Sequence, residues 1–444
     1  MSDFHNTKRP FDLAASLEEQ QRLRDERKRS KNGYTGFDKN TPPHLQFIKR
    51  PLVTVNKDPP SPLRLKIMSY NTLAQSLVRR TLFPTSGNAL KWATRSKVLT
   101  SELKYYDADI MCLQEVDEVQ FESYWKEKLK ELGYEYKFER AYTKRHGIVI
   151  AFKPQLVSST YSRVINYDRE DAGFLSSQTT TDNLGLVTCL SFTKETREKY
   201  PQLKSGIVIA TTHLFWHPMG TYERARQSFL LMSRTIQFAM MLGGSPNSFY
   251  HFMAGDFNTQ PFDFPYLAMT SSKPLSRQVG EPEAVLAKSL GTVIDDEEEE
   301  EEEADGQTRS APQSAPTENQ LSTIDELKTL YDEMPFNAIS LYSIGYESVD
   351  PANSGIDNAD HEPYFSNWAH AWRGLLDYIF VLAPRINQRQ PDVRERLVED
   401  QGVKLISLLR LPRKQEMGSE PSGQPRTGQY PSDHLCLMAE VELS

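Results

Sequence analysis

Eight polar residues scattered along the chain are of the types that handle phosphate: Glu115, Asp256, Asp377, Asp433, Asn71, Asn258, His213 and His434. Carboxylate and amide oxygens are hard donors suited to Mg²⁺ or Mn²⁺, ions that keep several waters and bind phosphate directly. A metal-polarised phosphate still needs a water oriented for in-line attack and donors for the charge on its oxygens. A histidine beside an aspartate supplies an oriented, positively biased imidazole. Singly, these residues have plainer readings. Asn71 reads as a helix cap, Glu115 as a surface acid, His213 or His434 as a structural histidine, and Asp256-Phe257-Asn258 as a turn. Asp377 is harder to set aside, because an acid between Leu376 and Tyr378 is costly to bury unless paired. As a set they imply metal-assisted phosphoester hydrolysis. No zinc-spaced Cys/His cluster, Walker loop or GxSxG elbow competes.

Such residues act together only if the chain carries them to one place. "LRLKIMSYN" reads as a strand ending in Asn71, and "YDADIMCLQEV" contains one ending in Gln114-Glu115. "GIVIATTHLF" delivers His213, and "HFMAGDFN" delivers Asp256 and Asn258. "GLLDYIFVL" carries Asp377, and "HLCLMAEVEL" goes with Ser432-Asp433-His434; these too are read as strand ends. "HGIVIAFK" and "NLGLVTCLSF" are further strands. In an extended strand end, Asp256 and Asn258 project to one side and Phe257 to the other, toward the core. Gly255 and Pro261 then shape the loop that presents the pair. Between the strands, "ALKWATRSKVLTSELKYY", "FESYWKEKLKELG" and "TYERARQSFLLMSRTIQFAMML" read as helices. Strands alternating with amphipathic helices imply a layered α/β protein with mixed sheets. Ligand sites in such folds gather at strand ends.

The chain has 444 residues, 38% of them hydrophobic and 25% charged, ample for a large core. The formal charge is −8, but the acidic run from Asp295 to Asp305 holds ten negative charges, so the remainder stands at +2. A local basic cleft is compatible with that balance. Cys112, Cys189 and Cys436 sit in apolar runs and read as core thiols of a reduced, intracellular protein. No apolar stretch approaches the ~20 residues of a membrane span. Asp3 and Glu18 argue against a signal or transit peptide. Residues 1–60 read as a polar leader, helical or disordered, whose Arg27-Lys28-Arg29-Ser30-Lys31 is a solvated face rather than a nuclear signal or RNA-touching patch. Residues 61–444 read as one domain, with a disordered acidic insertion at about 271–322 and a mobile loop at about 414–429.

In the order "SYNTLA", "LQEV", "THLFW", "GDFN", "LDYIF" and "SDH", the sequence resembles the exonuclease–endonuclease–phosphatase superfamily from about residue 63 to 444, insertion aside. Within it, "THLFWHP" and "NWAHAWRGLLDYIF" resemble the deadenylase and nocturnin group, and most of all the fungal Ngl-type RNA exonucleases. The resemblance implies a DNase I-like four-layer α/β sandwich, two mixed β-sheets flanked by helices. It implies Glu115 as the principal Mg²⁺ ligand (Mn²⁺ being an alternative), Asn71 supporting the metal and phosphate network, and Asp433 binding a metal or holding its neighbour. Asp256 would activate the attacking water and Asn258 hold the phosphate. His434 would contact the scissile phosphate, oriented by Asp377, and His213 would stabilise the phosphate, with Asn183 near the site. Pro218 and Trp372 would sandwich a terminal base, a stack worth ~1–3 kcal/mol. Two departures, His146 before "GIVIAF" and His217 before Pro218, remove negative charge from the expected cleft and favour a longer polyanion. The implied activity is Mg²⁺-dependent 3′-to-5′ exoribonuclease action on an RNA 3′ end, trimming or deadenylation, releasing 5′-mononucleotides. A nocturnin-type nucleotide phosphatase using the same site is the alternative. The expected partner is RNA alone: a monomer, no membrane, and no leucine-rich repeats for docking into the large deadenylase complex.

Overall fold

The computed structural model describes residues 40–57, 63–275, 280–290, 317–370, 372–385, 391–417 and 423–444. Most strands are apolar on both faces, so each sheet must be covered twice. One sheet has seven strands in the order β1-β14-β15-β2-β3-β5-β4. These are β1 (Leu52–Thr54), β14 (Val403–Leu409), β15 (Leu437–Leu443), β2 (Leu63–Asn71), β3 (Ile110–Asp117), β5 (His146–Phe152) and β4 (Glu135–Glu139). The other has six strands in the order β10-β13-β9-β8-β7-β6. These are β10 (Phe336–Ser340), β13 (Asp377–Pro384), β9 (Phe249–Asp256), β8 (Gly206–His213), β7 (Leu184–Phe192) and β6 (Val157–Asn166). A small ribbon, β11 (Asn367–Ala369) with β12 (Trp372–Gly374), completes the strands described.

The period of two sorts side chains into layers. In β2, Leu65 and Ile67 join the core between the sheets, while Met68 and Tyr70 face the layer that holds Leu99 and Leu103 of the helix Trp92–Tyr106. In β9, Tyr250, Phe252 and Ala254 face the other sheet; Phe249 and Met253 pack under the helix Thr221–Gly243. The expected sandwich of two mixed sheets between helical layers is therefore the observed fold. The three thiols fall one to each layer: Cys112 between the sheets, Cys189 and Cys436 on their outer faces. All three are free and buried.

Mixed pairing explains one difference from the sequence reading. Asp377 and His434 do not end strands; Asp377 opens β13, and His434 precedes β15. β13 runs antiparallel to β9 with Asp377 opposite Asp256, and β15 runs antiparallel to β2. The starts of these two strands therefore lie at the same edge as the ends of their neighbours.

Three boundaries also move. Residues 40–57 belong to the domain rather than to a leader: Phe47 and Arg50 are buried, and β1 pairs with β14. Inside the expected insertion, Glu281–Leu290 is a helix whose Leu286 and Ala287 join the core, and Thr317 caps the helix Glu318–Glu333 with a capping box. The expected loop at 414–429 is pinned on both sides, by buried Met417 and by buried Gln424 bonded to Gln429 and Tyr430. The basic stretch 27–31 and the acidic run 295–305 lie outside the described residues. No helix among the described residues is long and apolar enough to cross a membrane.

Candidate active site

The edge where the two sheets meet gathers the expected residues. Parallel pairing of β2 with β3 sets Asn71 opposite Gln114, and parallel pairing of β8 with β9 sets His213 opposite Asp256. A register shift between Leu113 and Val116 marks a bulge in β3. Glu115 sits in it with φ 54°, left-handed backbone that re-aims its side chain into the cleft. Asn258 also has positive φ, 46°. It is thus placed by a turn and not by strand alternation: its backbone N–H donates to Asp256 Oδ1 at 3.0 Å. Phe257 does point into the core, against Tyr378 and Phe380. Gly255 lies inside β9 rather than in a loop, and Pro261 lies beyond the turn.

Asn71 is the hinge pin of the carboxylates. Its amide nitrogen donates to Glu115 Oε1 at 2.8 Å and to Asp256 Oδ2 at 2.9 Å, and its Oδ1 accepts from Leu73 N–H at 3.0 Å. Both amide protons are thereby spent on carboxylates. The other oxygen of Glu115 accepts from the backbone of Ala74 at 2.9 Å. Two imidazoles approach Asp256 Oδ2: His213 Nε2 at 3.7 Å and His434 Nε2 at 3.6 Å. His434 Nδ1 meets Asp377 Oδ2 at 2.8 Å. Ser366 Oγ donates to that same oxygen at 2.6 Å and accepts from the Asp377 N–H, fixing the acid. Asn258 gives one amide proton to the Leu214 carbonyl at 2.9 Å, leaving a second. Ser432 Oγ donates to the carbonyl of Asn71 at 2.7 Å, tying the "SDH" turn to the end of β2.

Burial and charge divide the two histidines. Burial lowers His213 to about 4, only partly offset by Asp256, so it is neutral near pH 7. Burial opposes the charge of His434 as well, but Asp377 and Asp256 outweigh it and hold its pKa well above the ordinary imidazole value. Burial raises the Asp256 carboxyl, aided by Asp377 and opposed by His434. Burial and the neighbouring Glu115 push Asp433 up to about 6, against the pull of His434. The carboxylates thus crowd a shared negative potential that a divalent cation would relieve. Glu115, His213 and Asp256 can each turn one ligand atom to a common point, those atoms lying within 4.8 Å of one another.

A cleft of about 630 Å³ opens over this floor, lined by Glu115, Asn183, His213, Asp256, Asn258, Asp433 and His434 among others. Trp216 lines it too, whereas exposed Pro218 and Trp372 do not; the Trp372 ring lies beside Gly374 and Gln260. Several contributors carry no motif in the sequence. Arg95, fully buried in a helix, donates to the carbonyls of Thr72, Leu73 and Pro431 and so joins the loops after β2 and before β15. Ser366 lies outside the motifs, and the cleft-lining Lys144 and Arg145 stand just before His146, where only that histidine was singled out. Trp216 stood within "THLFW" and was legible there as an aromatic beside the site.

Residues 68–434 match the Endonuclease/Exonuclease/phosphatase family. The chain is 39% identical over 436 residues to a Saccharomyces cerevisiae protein named RNA exonuclease NGL2, a match spanning 92% of this chain and 84% of that protein. Among solved structures it resembles ANGEL2, a 2′,3′-cyclic phosphatase, in complex with adenosine-2′,3′-vanadate, with TM-score 0.56, 21% identity, and coverage of 89% of this chain and 99% of that one. It also resembles the human Nocturnin catalytic domain with bound sulfate, with TM-score 0.51, 19% identity, and coverage of 91% and 100% respectively. At such identities the structural likeness speaks to the fold, and it agrees with the two-sheet architecture.

Proposed function

The chain belongs to the endonuclease/exonuclease/phosphatase family, and from that premise we propose that it is a divalent-metal-dependent 3′-to-5′ exoribonuclease, releasing 5′-mononucleotides from an RNA end. The observation that carries the chemistry is the convergence on Asp256 Oδ2 of Asn71, His213 and His434, with Glu115 bridged to the same carboxylate through Asn71. The RNA substrate is supported by the relative named RNA exonuclease NGL2.

The donor set fits a hard divalent cation such as Mg²⁺, with Mn²⁺ also served by the imidazole of His213. Glu115 would hold it, with Asp433 or Asp256 contributing an oxygen. When bound, the ion supplies Lewis-acid polarisation of the scissile phosphate. The protein supplies the rest. Asp256 keeps one oxygen on the Asn258 N–H and presents the other to a water as proton acceptor. Cationic His434, fixed by Asp377 and Ser366, faces the charge that grows on the phosphate oxygens. Neutral His213 and the second amide proton of Asn258 add donors on the other side. Asn71 keeps both carboxylates oriented throughout. Trp216 offers a π-face for a base within the cleft, which the expected Pro218–Trp372 pair does not line.

The test is turnover of a 3′-defined, labelled RNA with Mg²⁺, followed by product identification. Glu115→Gln and Asp256→Asn are expected to lower the rate by about 10²–10⁴-fold without unfolding the protein. Chelation should stop the wild-type reaction, and Mg²⁺ should restore it. Full activity in both variants would remove this mechanism. Release of inorganic phosphate from a phosphorylated nucleotide, with RNA left intact, would move the assignment to a phosphatase.

A further inference from the structure

The catalytic floor needs one phosphate, yet the cleft does not end there. A small second groove of about 20 Å³ adjoins it, and both are lined by Lys144, His146, Asn183 and His213. At this junction an ammonium and an amide stand side by side. The Lys144 ammonium donates to Asn183 Oδ1. That bond satisfies the amide oxygen and turns the amide nitrogen the other way. Asn183 is only 5% exposed and lines both grooves, and its Nδ2 has no hydrogen-bond partner. A buried donor left unpaired costs free energy unless a ligand supplies the acceptor. Arg145 lines the same wall of the cleft from the next position in the chain.

The loop that carries these residues is built to hold them in place. Arg140 also lines the groove, but its guanidinium is held by the carbonyls of Ala141, Tyr142 and Lys144 and by the Glu118 carboxylate, so it shapes the loop and its charge is already paired. The Arg145 carbonyl accepts from the Glu118 N–H, anchoring the far end of the loop beside the bulged strand β3. Beyond the junction the groove is lined by Glu139 and Asp182, which would repel further phosphates. Lys144 and Arg145 therefore bring positive charge beside the floor, where one more phosphate can meet it.

The geometry points to a second anion subsite, formed by Asn183, Lys144 and Arg145, which takes the phosphodiester adjacent to the one cleaved and selects RNA with at least two consecutive phosphates over mononucleotide or cyclic phosphate substrates. The inference rests on the exoribonuclease reading above, with the second phosphate on the retained side of the cut.

A trinucleotide is the probe, its uncleaved linkage either a phosphodiester or a neutral methylphosphonate. In the wild type, neutralising that linkage should lower kcat/KM on the order of 10- to 100-fold, the scale of charge-assisted hydrogen bonds. In the double variant K144A/R145A the same change in substrate should cost less than about threefold. Equal losses in wild type and variant, or no loss in the wild type, overturn the subsite. Arg145→Ala alone, at an exposed side chain, should give an intermediate loss and guards against a folding defect in the double variant. If the wild type turns over neither trinucleotide, the exoribonuclease reading fails. The subsite is then judged by fluorescence anisotropy with the same two ligands, where equal affinities would sink it.

Discussion

Left-handed backbone at a residue other than glycine costs roughly 1–3 kcal/mol, and the site holds it at Glu115 and Asn258. Strain at these two positions aims a carboxylate and an amide that ordinary strand geometry would send elsewhere. Glu115 also adds charge to a crowded cluster. Replacing it by Gln removes that repulsion but turns an NH2 toward either Asn71 or the Ala74 N–H, so the two effects oppose each other. Glu115→Gln should therefore melt within a few degrees of wild type in metal-free buffer while losing activity; a large fall in melting temperature would mean that the lost hydrogen bond outweighs the crowding. His434 carries the opposite expectation. Its pKa is held up by Asp377 and Asp256, so its charge persists through neutrality and is lost only at alkaline pH. Asp377→Asn should lower kcat by about 10²–10⁴-fold and move the alkaline limb of the pH–rate profile toward lower pH. An unmoved limb would mean that another group sets it. The residue types of this constellation were legible in the sequence because few other chemistries use acids, amides and histidines together. The turn that delivers Asn258 was not, because Asx turns and strand alternation both place residues two apart near each other.

Among the elements, β8 and β9 set the spacing of the site. Gly255 leaves no room for a side chain between them: a Cβ there would lie 2.4 Å from the carbonyl oxygen of Thr212. Gly255→Ala must therefore push backbone from backbone, and His213 and Asp256, register partners one step on, move apart with it. The expected cost is about 1–3 kcal/mol in a urea titration, with a fall in single-turnover rate. Unchanged stability would show that the strands adapt. The eight apolar runs read as strands from sequence are strands here, because burial on both faces leaves a continuous apolar signature. Edge strands β4 and β6 escaped that reading. β6 is mostly exposed or half-buried, rich in Ser and Thr, and becomes a strand through its pairing with β7. β4, "EYKFE", likewise becomes a strand by pairing with β5. Propensity is weak at such edges, and tertiary partners decide.

At the scale of the whole molecule, the interior constrains stability against pH. His251 lies in β9, buried, with Nε2 unpartnered. Burial, aided by Lys204, lowers its pKa from 6.5 to about 4. Below pH 6.5 the unfolded chain binds a proton that the folded chain refuses, so this stability is whole above 6.5 and lost as pH falls through about 4. The loss is roughly 3 kcal/mol, and His251→Leu should flatten that part of the acid limb in denaturant titrations between pH 7 and 4. An identical limb in the variant would assign it to other groups. The placement of one thiol in each layer has a further use. Burial raises the pKa of Cys112, Cys189 and Cys436 alike, so none reacts while its surroundings stay closed. An alkylating reagent under native conditions would then reach each sulfur only when its own layer opens. Resolved by peptide mass, the three labelling rates become three clocks on one chain, reporting which layer separates first and whether the sheets part before the helices lift.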